Sequence, residues 1–207
     1  ENAADDKTYE EIAQLLDVDE FINYMAVELH IGNWDWPQNN AKGFRDRNDG
    51  KFHFVLFDLD GAFSVGAGDI FNTFFNKEHY NFDTLHGYDY SKDESIEGKR
   101  LSGQIELVTL FKNLLANDTF RKKFIDAFCL LGGSVFQQYK VEEIVNEAAS
   151  YLATGGFVNP WSTANDVMNK LGSRNNSATQ ALQNCNYMQL QGVERQKVKF
   201  SANVEGA

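Results

Sequence analysis

Two short stretches decide how this sequence is interpreted: NWDWPQNN at residues 33–40 and DLDG at residues 58–61. The first contains Pro37 and ends in two asparagines, a composition that is typical of a loop. Between the two stretches we predict a β-hairpin with arms at residues 41–46 and 51–58, because the turn tripeptide NDG separates them. A polar loop, a hairpin and a strand that ends in two aspartates therefore follow one another along the chain.

The acid and amide side chains in this order match a pattern found in protein kinases. A kinase uses one Asp to accept the proton of the substrate hydroxyl and an Asn five residues later to hold a metal ion. A second Asp, after a β-hairpin, holds the metals that bridge the nucleotide phosphates. Asp35, Asn40 and Asp58 occupy these places, although the gap before Asp58 is somewhat longer. Mg²⁺ favours carboxylate and amide oxygens of this kind, so we predict that the three side chains converge in one cleft.

The strand before Asp58 supplies a second argument. Side chains alternate along a strand, so Leu56, Asp58 and Asp60 share one face with the apolar residues of the arm. Like charges on a partly buried face are costly unless a cation or hydrogen-bond donors offset them. The pattern predicts metal binding at Asp58 and Asp60, and Gly61 allows a tight turn after them. The competing interpretation is that the two aspartates cap the turn that follows.

Several other conspicuous side chains are assigned structural roles. Trp34 and Trp36 are expected to anchor the loop by packing, and Asn39 to form hydrogen bonds within it. The four histidines, at positions 30, 53, 79 and 86, show no metal-ligand spacing, so we expect structural or solvent-exposed roles for all of them. Cys129 lies in an apolar helical run and is expected to be a buried thiol. Whether it pairs with Cys185 stays open, since two cysteines cannot form a disulfide framework.

Length, composition and charge set the limits of these interpretations. The chain has 207 residues, 43% of them hydrophobic, which suits one domain or one and a half with a sizeable core. The formal net charge is −11, and this sign repels phosphate backbones, so nucleic-acid binding is disfavoured. No apolar run is long enough to span a bilayer. No signal peptide is visible, but the sequence begins at Glu1 without a Met.

The rest of the chain reads as mainly helical, which gives a predominantly helical α+β fold class. The tetrapeptide TYEE at residues 8–11 predicts a capping box that opens a helix to about Leu16. Asp17 or Asp19 then caps a second helix that ends near residue 31. The segment after Gly61 is irregular to about residue 100, a length usual for functional or mobile loops. Further helices are predicted at about 103–116, 119–138, 141–153, 161–171 and 175–185, followed by a strand at 195–202.

The motifs resemble those of the CotH (spore coat protein H) kinase family. The core pattern of that family is a Gly-Asn-x-Asp loop, a downstream Asn pair and a strand that ends in Asp-x-Asp. This sequence has GNWD at 32–35, NN at 39–40 and DLD at 58–60. The family often continues with an aromatic residue and a Gly, whereas GAF at 61–63 is a mild departure. Residues 110–124 also resemble the helical region of the family, so the likeness covers about residues 18–185.

The resemblance implies the large, mostly helical lobe of an atypical kinase fold. It also implies ATP with Mg²⁺ or Mn²⁺, and phosphorylation of secreted or cell-surface proteins on Ser or Thr. By position, Asp35 resembles the catalytic Asp, while Asn40 and Asp58 resemble the metal- and nucleotide-binding residues. Asp60 resembles the second acid of the motif, with a less defined part in metal binding.

One component of a kinase has no counterpart in the sequence. A kinase needs a small lobe with a phosphate-covering loop and a strand Lys, but only Lys7 precedes Asp35, and it lies before a helix. We therefore expect that a nucleotide lobe lies upstream of Glu1 or does not exist, and we expect this chain alone to be inactive. The expected division of the chain is a large lobe at 1–193 (catalytic segment 18–63, irregular segment 64–100, helical body 102–185) and a strand and linker at 194–207 toward a further domain.

Two other classes of function stay open at this stage. In some glycosyltransferases an Asp-x-Asp at a strand end holds a metal and a nucleotide-sugar diphosphate, but that class places a βαβ nucleotide-binding domain before the motif. Residues 1–32 read as helices instead. A non-catalytic surface module that keeps the fold to bind glycans or proteins would also use the aromatic residues of 63–90.

Overall fold

The computed structural model describes residues 3–33, 35–37, 40–66, 68–75 and 107–194. Over these residues the fold is mostly helical with one two-stranded antiparallel sheet, as the predominantly helical α+β prediction requires. The helices are α1 (Asp6–Leu15), α2 (Val18–Ile31), α3 (Ile70–Phe75), α4 (described over 107–115), α5 (Asp118–Leu130), α6 (Gln138–Thr154) and α7 (Pro160–Asn184); the strands are β1 (Lys42–Arg45) and β2 (Phe52–Val55).

Helix α2 is the central element of the core. It begins where the Asp17 side chain accepts a hydrogen bond from the backbone N–H of Glu20 at 3.0 Å, and it ends at Gly32 in the left-handed conformation with φ +60°. Both ends agree with the sequence prediction, because an Asp N-cap and a Gly C-cap satisfy the unpaired groups of the terminal turns. Phe21 and Met25 on its inner face are completely buried.

A cluster of aromatic rings fills the space between α2 and the helices around it. Phe111 of α4 lies 4.9 Å from Phe124 of α5 and 6.4 Å from Phe21, measured between ring centroids. The Phe71 ring of α3 lies 5.3 Å from Phe128. Tilted and edge-on pairs of this kind add to the stabilisation from burial itself, so the core holds α2 and α3 in place beneath the polar loop.

The predicted hairpin is present and is attached to α2. Its register pairs Lys42 with Val55 and Arg45 with Phe52. The backbone N–H of Asp17 donates to the carbonyl oxygen of Phe52 at 3.0 Å, which joins β2 to the start of α2. The second strand is shorter than the predicted arm 51–58, because the chain leaves the extended conformation after Val55.

Two sequence predictions, one before the polar loop and one after it, were wrong. Helix α1 begins at Asp6 rather than at the TYEE box, because Asp5 is the N-cap and its side chain accepts the N–H of Thr8 at 3.0 Å. The segment predicted to be irregular contains α3, whose residues Phe71 and Phe74 are buried against the core. Short helices of this kind are stabilised by packing rather than by helix propensity.

The C-terminal helices also differ from the prediction. Helix α7 is one element of 25 residues, although the sequence predicted a break between 171 and 175. Gly172 costs about 1 kcal/mol inside a helix, and burial of Leu171, Arg174 and Ala178 on the same helix offsets it. Helix α5 was predicted to continue to 138, but it passes into a π-helical turn at Leu131–Val135.

The expectation that Cys129 is buried is corrected, the open question of its pairing with Cys185 is answered, and several predictions lie outside the described residues. Cys129 is exposed and Cys185 is buried, with no disulfide between them. The predicted strand at 195–202, the whole segment 76–106, and the residues Trp34 and Asn39 are outside the described part of the chain. Among the helices that are described, none combines the length and apolarity needed to cross a membrane.

Candidate functional site

The loop after α2 is anchored by a buried tryptophan. Trp36 is 2% exposed, its Nε1–H donates to the hydroxyl oxygen of Tyr24 at 2.6 Å, and its ring stacks on Phe74 of α3 at 5.2 Å. The peptide bond between Trp36 and Pro37 is cis. Trp36 therefore has the anchoring role that the sequence predicted, and it places the adjacent Asp35 next to the end of α2.

Asn33 orients Asp35 from the other side. Asn33 is buried, and its Nδ2 donates to Glu28 Oε2 of α2 at 3.3 Å. Its Oδ1 accepts the backbone N–H of Asp35 at 3.2 Å. Sequence reasoning did not assign Asn33 a role in the site. An Asn two residues before the bonded N–H is the signature of an Asx-turn, and this signal could have identified it.

The side-chain amide of Asn40 joins the three residues that the kinase-like spacing singled out. Its Nδ2 donates to Asp35 Oδ2 at 3.1 Å and to the backbone carbonyl oxygen of Asp58 at 3.3 Å. Because only the NH₂ end of the amide can donate to two oxygens, Oδ1 of Asn40 points the other way and keeps its acceptor capacity. The structure thus brings Asp35, Asn40 and Asp58 together at one place.

Two of these residues have an unusual backbone conformation. Asn40 has φ +56° and Asp58 has φ +54°, both in the left-handed region. Asn and Asp adopt this region more easily than other residues with a Cβ, so a substitution by a β-branched residue would be strained at either position. Backbone outliers held by surrounding structure are concentrated at functional sites. Here one outlier is Asn40, and the other is Asp58, whose carbonyl oxygen accepts from the Asn40 side-chain amide.

The strand-face argument for Asp58 and Asp60 was wrong. Strand β2 ends at Val55, Asp58 is left-handed, and Leu59–Gly61 forms a 3₁₀ turn. Both aspartates are exposed, so no partly buried face holds two like charges. The capping alternative is not observed for Asp58 either, because its side chain forms no cap hydrogen bond with the turn. Asp58 is exposed, and its backbone carbonyl oxygen accepts from Asn40.

The comparison with protein families agrees with this arrangement. The family model described as CotH kinase protein matches residues 1–194. The chain belongs to the CotH kinase family. The comparisons with curated proteins and with solved structures gave no match. The resemblance seen in the sequence motifs is therefore confirmed, and the loop, hairpin and DLD turn of a CotH family member are the segments that meet at Asn40.

A buried arginine bonds the two backbone segments that carry the candidate site. Arg174 of α7 donates from Nη2 to the carbonyl oxygen of Ile31 and from Nη1 to that of Val65, each at 2.6 Å. Burial lowers the pKa of Arg174 to about 10, which leaves it cationic at neutral pH. No sequence pattern pointed to this contact, because 143 residues separate Ile31 from Arg174.

Two clusters of ionisable groups lie elsewhere on this CotH family member. Asp17, Glu20 and His53 form one, and Asp46, Asp49 and His53 form the other, with potential ligand atoms within 4.8 Å of one another. His53 Nδ1 is already bonded to Glu20. This contact of the half-buried His53 joins the hairpin to α2. Hard cations such as Mg²⁺ prefer ligand sets made only of oxygen atoms. Each of these clusters has two carboxylates, and its third ligand is the nitrogen of the His53 imidazole.

Proposed function

We propose that this chain is the large lobe of a metal-dependent kinase that transfers the γ-phosphate of ATP to Ser or Thr of secreted or cell-surface proteins. One observation carries the proposal: in a member of the CotH kinase family, a single amide bonds both the carboxylate of Asp35 and the backbone of Asp58. This contact fits the kinase arrangement, in which the substrate-facing Asp and the metal-facing Asp lie on either side of the transferred phosphoryl group.

The donor set fits Mg²⁺ or Mn²⁺ with a nucleotide. Asn40 presents Oδ1 once its Nδ2 is engaged by two oxygens, and Asp58, whose backbone carbonyl accepts from that Nδ2, is itself exposed. These are the hard oxygen ligands that Mg²⁺ takes together with phosphate and water. Asp60, one residue beyond Leu59 and also exposed, is the proposed additional ligand. When bound, the metal–ATP group supplies the phosphoryl group and neutralises the charge on its oxygens.

The proposed role of Asp35 is to accept the proton of the substrate hydroxyl. Asn33 holds its backbone N–H and Asn40 holds its Oδ2, so two contacts from different residues fix the orientation of the carboxylate. Phosphoryl transfer depends mainly on positioning and electrostatic stabilisation. A carboxylate fixed in this way can meet an incoming hydroxyl without reorganising.

Substitutions at the two aspartates separate their roles. In the full protein, Asp58→Ala should abolish metal-dependent nucleotide binding, because it removes the carboxylate proposed to hold the phosphate-bridging ions. Asp35→Ala should leave that binding largely intact and lower turnover by about 10²–10⁴-fold, the scale of a lost general base. Calorimetry with Mn²⁺–ATP and a phosphotransfer assay measure the two quantities. Asp60→Ala should lie between these two variants in nucleotide binding.

The exposed Asp126 of α5 offers a matched control, since Asp126→Ala removes one negative charge away from the site. Equal losses of nucleotide affinity in the Asp35 and Asp58 variants would contradict the assignment of Asp35 as base. Tighter binding of a nucleotide sugar than of ATP would favour a glycosyltransferase instead. The described residues ahead of DLD form two helices and a hairpin rather than a βαβ unit, which favours the kinase.

A further inference from the structure

We propose that Arg174 is a positioning residue for the site: it fixes the loop that carries Asp35 relative to the turn that carries Asp58. The structural part of this proposal is independent of the chemistry, whereas its effect on turnover rests on the proposed kinase function. Arg174 lies in the middle of α7, and nothing in the spacing of the motifs points to it.

The two segments meet at a backbone junction, which we define by Ile31 and Gly32 on one side and Phe63 and Val65 on the other. The N–H of Phe63 donates to the carbonyl oxygen of Ile31 at 2.6 Å, and the N–H of Val65 donates to that of Gly32 at 3.1 Å. Ile31 and Gly32 lead directly into the Asp35 loop, and Phe63 and Val65 follow directly from the DLD turn. The geometry of the junction therefore sets the distance between the two aspartates.

One guanidinium completes this junction. Arg174 bonds Ile31 on the first segment and Val65 on the second. Its guanidinium carbon Cζ lies 5.6 Å from the ring centroid of Phe63. The fork of donors on a guanidinium is planar and rigid, so the two carbonyl oxygens are held in one fixed relation. A Lys ammonium also has donors for two carbonyl oxygens, but these rotate on a flexible stem and would not impose that relation.

The burial of the charge argues against a role in packing alone. Arg174 is 4% exposed, and its partners in the described part of the chain are carbonyl oxygens rather than carboxylates. Burying a charge without a counter-ion is costly, and apolar residues of similar volume often replace buried ions without loss of stability. Ile31 is the last residue of α2, where the helix dipole favours a cation. The position thus uses the charge for two specific hydrogen bonds.

The junction leaves no room for adjustment. A Cβ at Gly32 would lie 2.2 Å from Nη2 of Arg174 and 3.0 Å from the carbonyl oxygen of Val65. Gly32 and Phe63 both have φ +60°, a conformation that a bulky residue such as Phe adopts only when its surroundings enforce it. Contacts from both segments and from α7 therefore converge on a strained stretch of backbone directly behind the site.

The test compares Arg174→Met with Arg121→Met in the full protein. Arg121 of α5 is a matched control, because it is also buried and also donates to a backbone carbonyl, that of Leu115 at 2.8 Å, away from the junction. Amide hydrogen exchange at Phe63 and Val65, resolved by NMR, reports the junction without any activity. We expect Arg174→Met to lower protection at these two amides by about 10- to 100-fold relative to amides of α5, the factor of one lost charged hydrogen bond. Arg121→Met should spare the two amides.

Turnover supplies the second measurement. Arg174→Met should lower turnover at saturating Mn²⁺–ATP about tenfold or more, and Arg174→Lys should restore only part of it, because Lys keeps the charge without the fork. Equal loss of protection at all amides, or selective loss with unchanged turnover, would overturn the positioning role. If the unsubstituted protein neither binds Mn²⁺–ATP nor transfers phosphate, the proposed function fails, and the exchange data alone decide whether Arg174 holds the junction.

Discussion

His30 shows how one buried residue can dominate the response of this protein to acid. It lies in the last turn of α2, 1% exposed, between the rings of Phe128 and Phe136 at 5.3 and 5.2 Å. Neither ring nitrogen has a hydrogen-bond partner among the described residues. Burial, and secondarily the charge of Arg174, lower the pKa of His30 to about 4, so the folded protein holds a neutral imidazole.

We expect His30 to destabilise the fold as the pH falls below about 6.5. The unfolded chain binds the proton first, because its histidine titrates near 6.5, and the folded chain follows only near pH 4. The free energy of unfolding should therefore drop by about 2 kcal/mol from pH 7.5 to pH 5 through this group. Urea denaturation at the two pH values measures the drop, and His30→Leu should remove that part of it. An unchanged pH dependence in His30→Leu would refute the assignment.

At the scale of single residues, the sequence predicted part of the candidate site and missed the rest. The convergence of Asp35, Asn40 and Asp58 was predictable, because a short loop and a hairpin leave few ways to separate them. The exposure of Asp58 was not, since a pattern of alternating residues does not reveal where the chain leaves the strand. Arg174 was out of reach, because contacts across 109 residues depend on how whole helices pack.

The hairpin is the element that carries the most local information. Its turn chemistry predicted it, and its position agrees with that prediction, although its second strand is shorter than the predicted arm. Helix α7 shows the opposite case: the sequence predicted two helices with a break between 171 and 175, and tertiary packing joins them in one element. Propensity decides an element when its contacts are local, and burial decides it when they are not.

The contact between the hairpin and α2 should weaken as the pH rises. The hydrogen bond from His53 to Glu20, with Asp49 contributing less, raises the pKa of His53 above 6.5. Its contribution to stability is therefore complete below about pH 6.5 and is lost as the pH rises through the higher folded pKa. This direction is opposite to that of His30.

The measurement is the protection of the Asp17 amide, which donates to Phe52 across this contact. After correction for intrinsic exchange, protection should decline from pH 6 to pH 8.5 in the unsubstituted protein and stay level in His53→Gln. A parallel decline in both proteins would show that His53 is not the group responsible.

At the scale of the whole molecule, the described residues form a mostly helical body. Described residues ahead of Asp35 form α1 and α2, with neither a strand Lys nor a glycine-rich loop to cover phosphates. Since positioning supplies most of the rate enhancement in phosphoryl transfer, we expect the isolated 207-residue chain to transfer no phosphate. Labelled ATP with Mg²⁺ or Mn²⁺ tests this, and robust transfer would show that the nucleotide site is complete within these residues.

The tight junction at Gly32 has a consequence for how this protein can change over generations. A side chain at position 32 and a guanidinium at position 174 compete for the same space. The two positions, which are far apart in the gene, are therefore expected to evolve together. A Cβ at position 32 would force the guanidinium at position 174 to shift, so mutations at the two positions are expected to be epistatic.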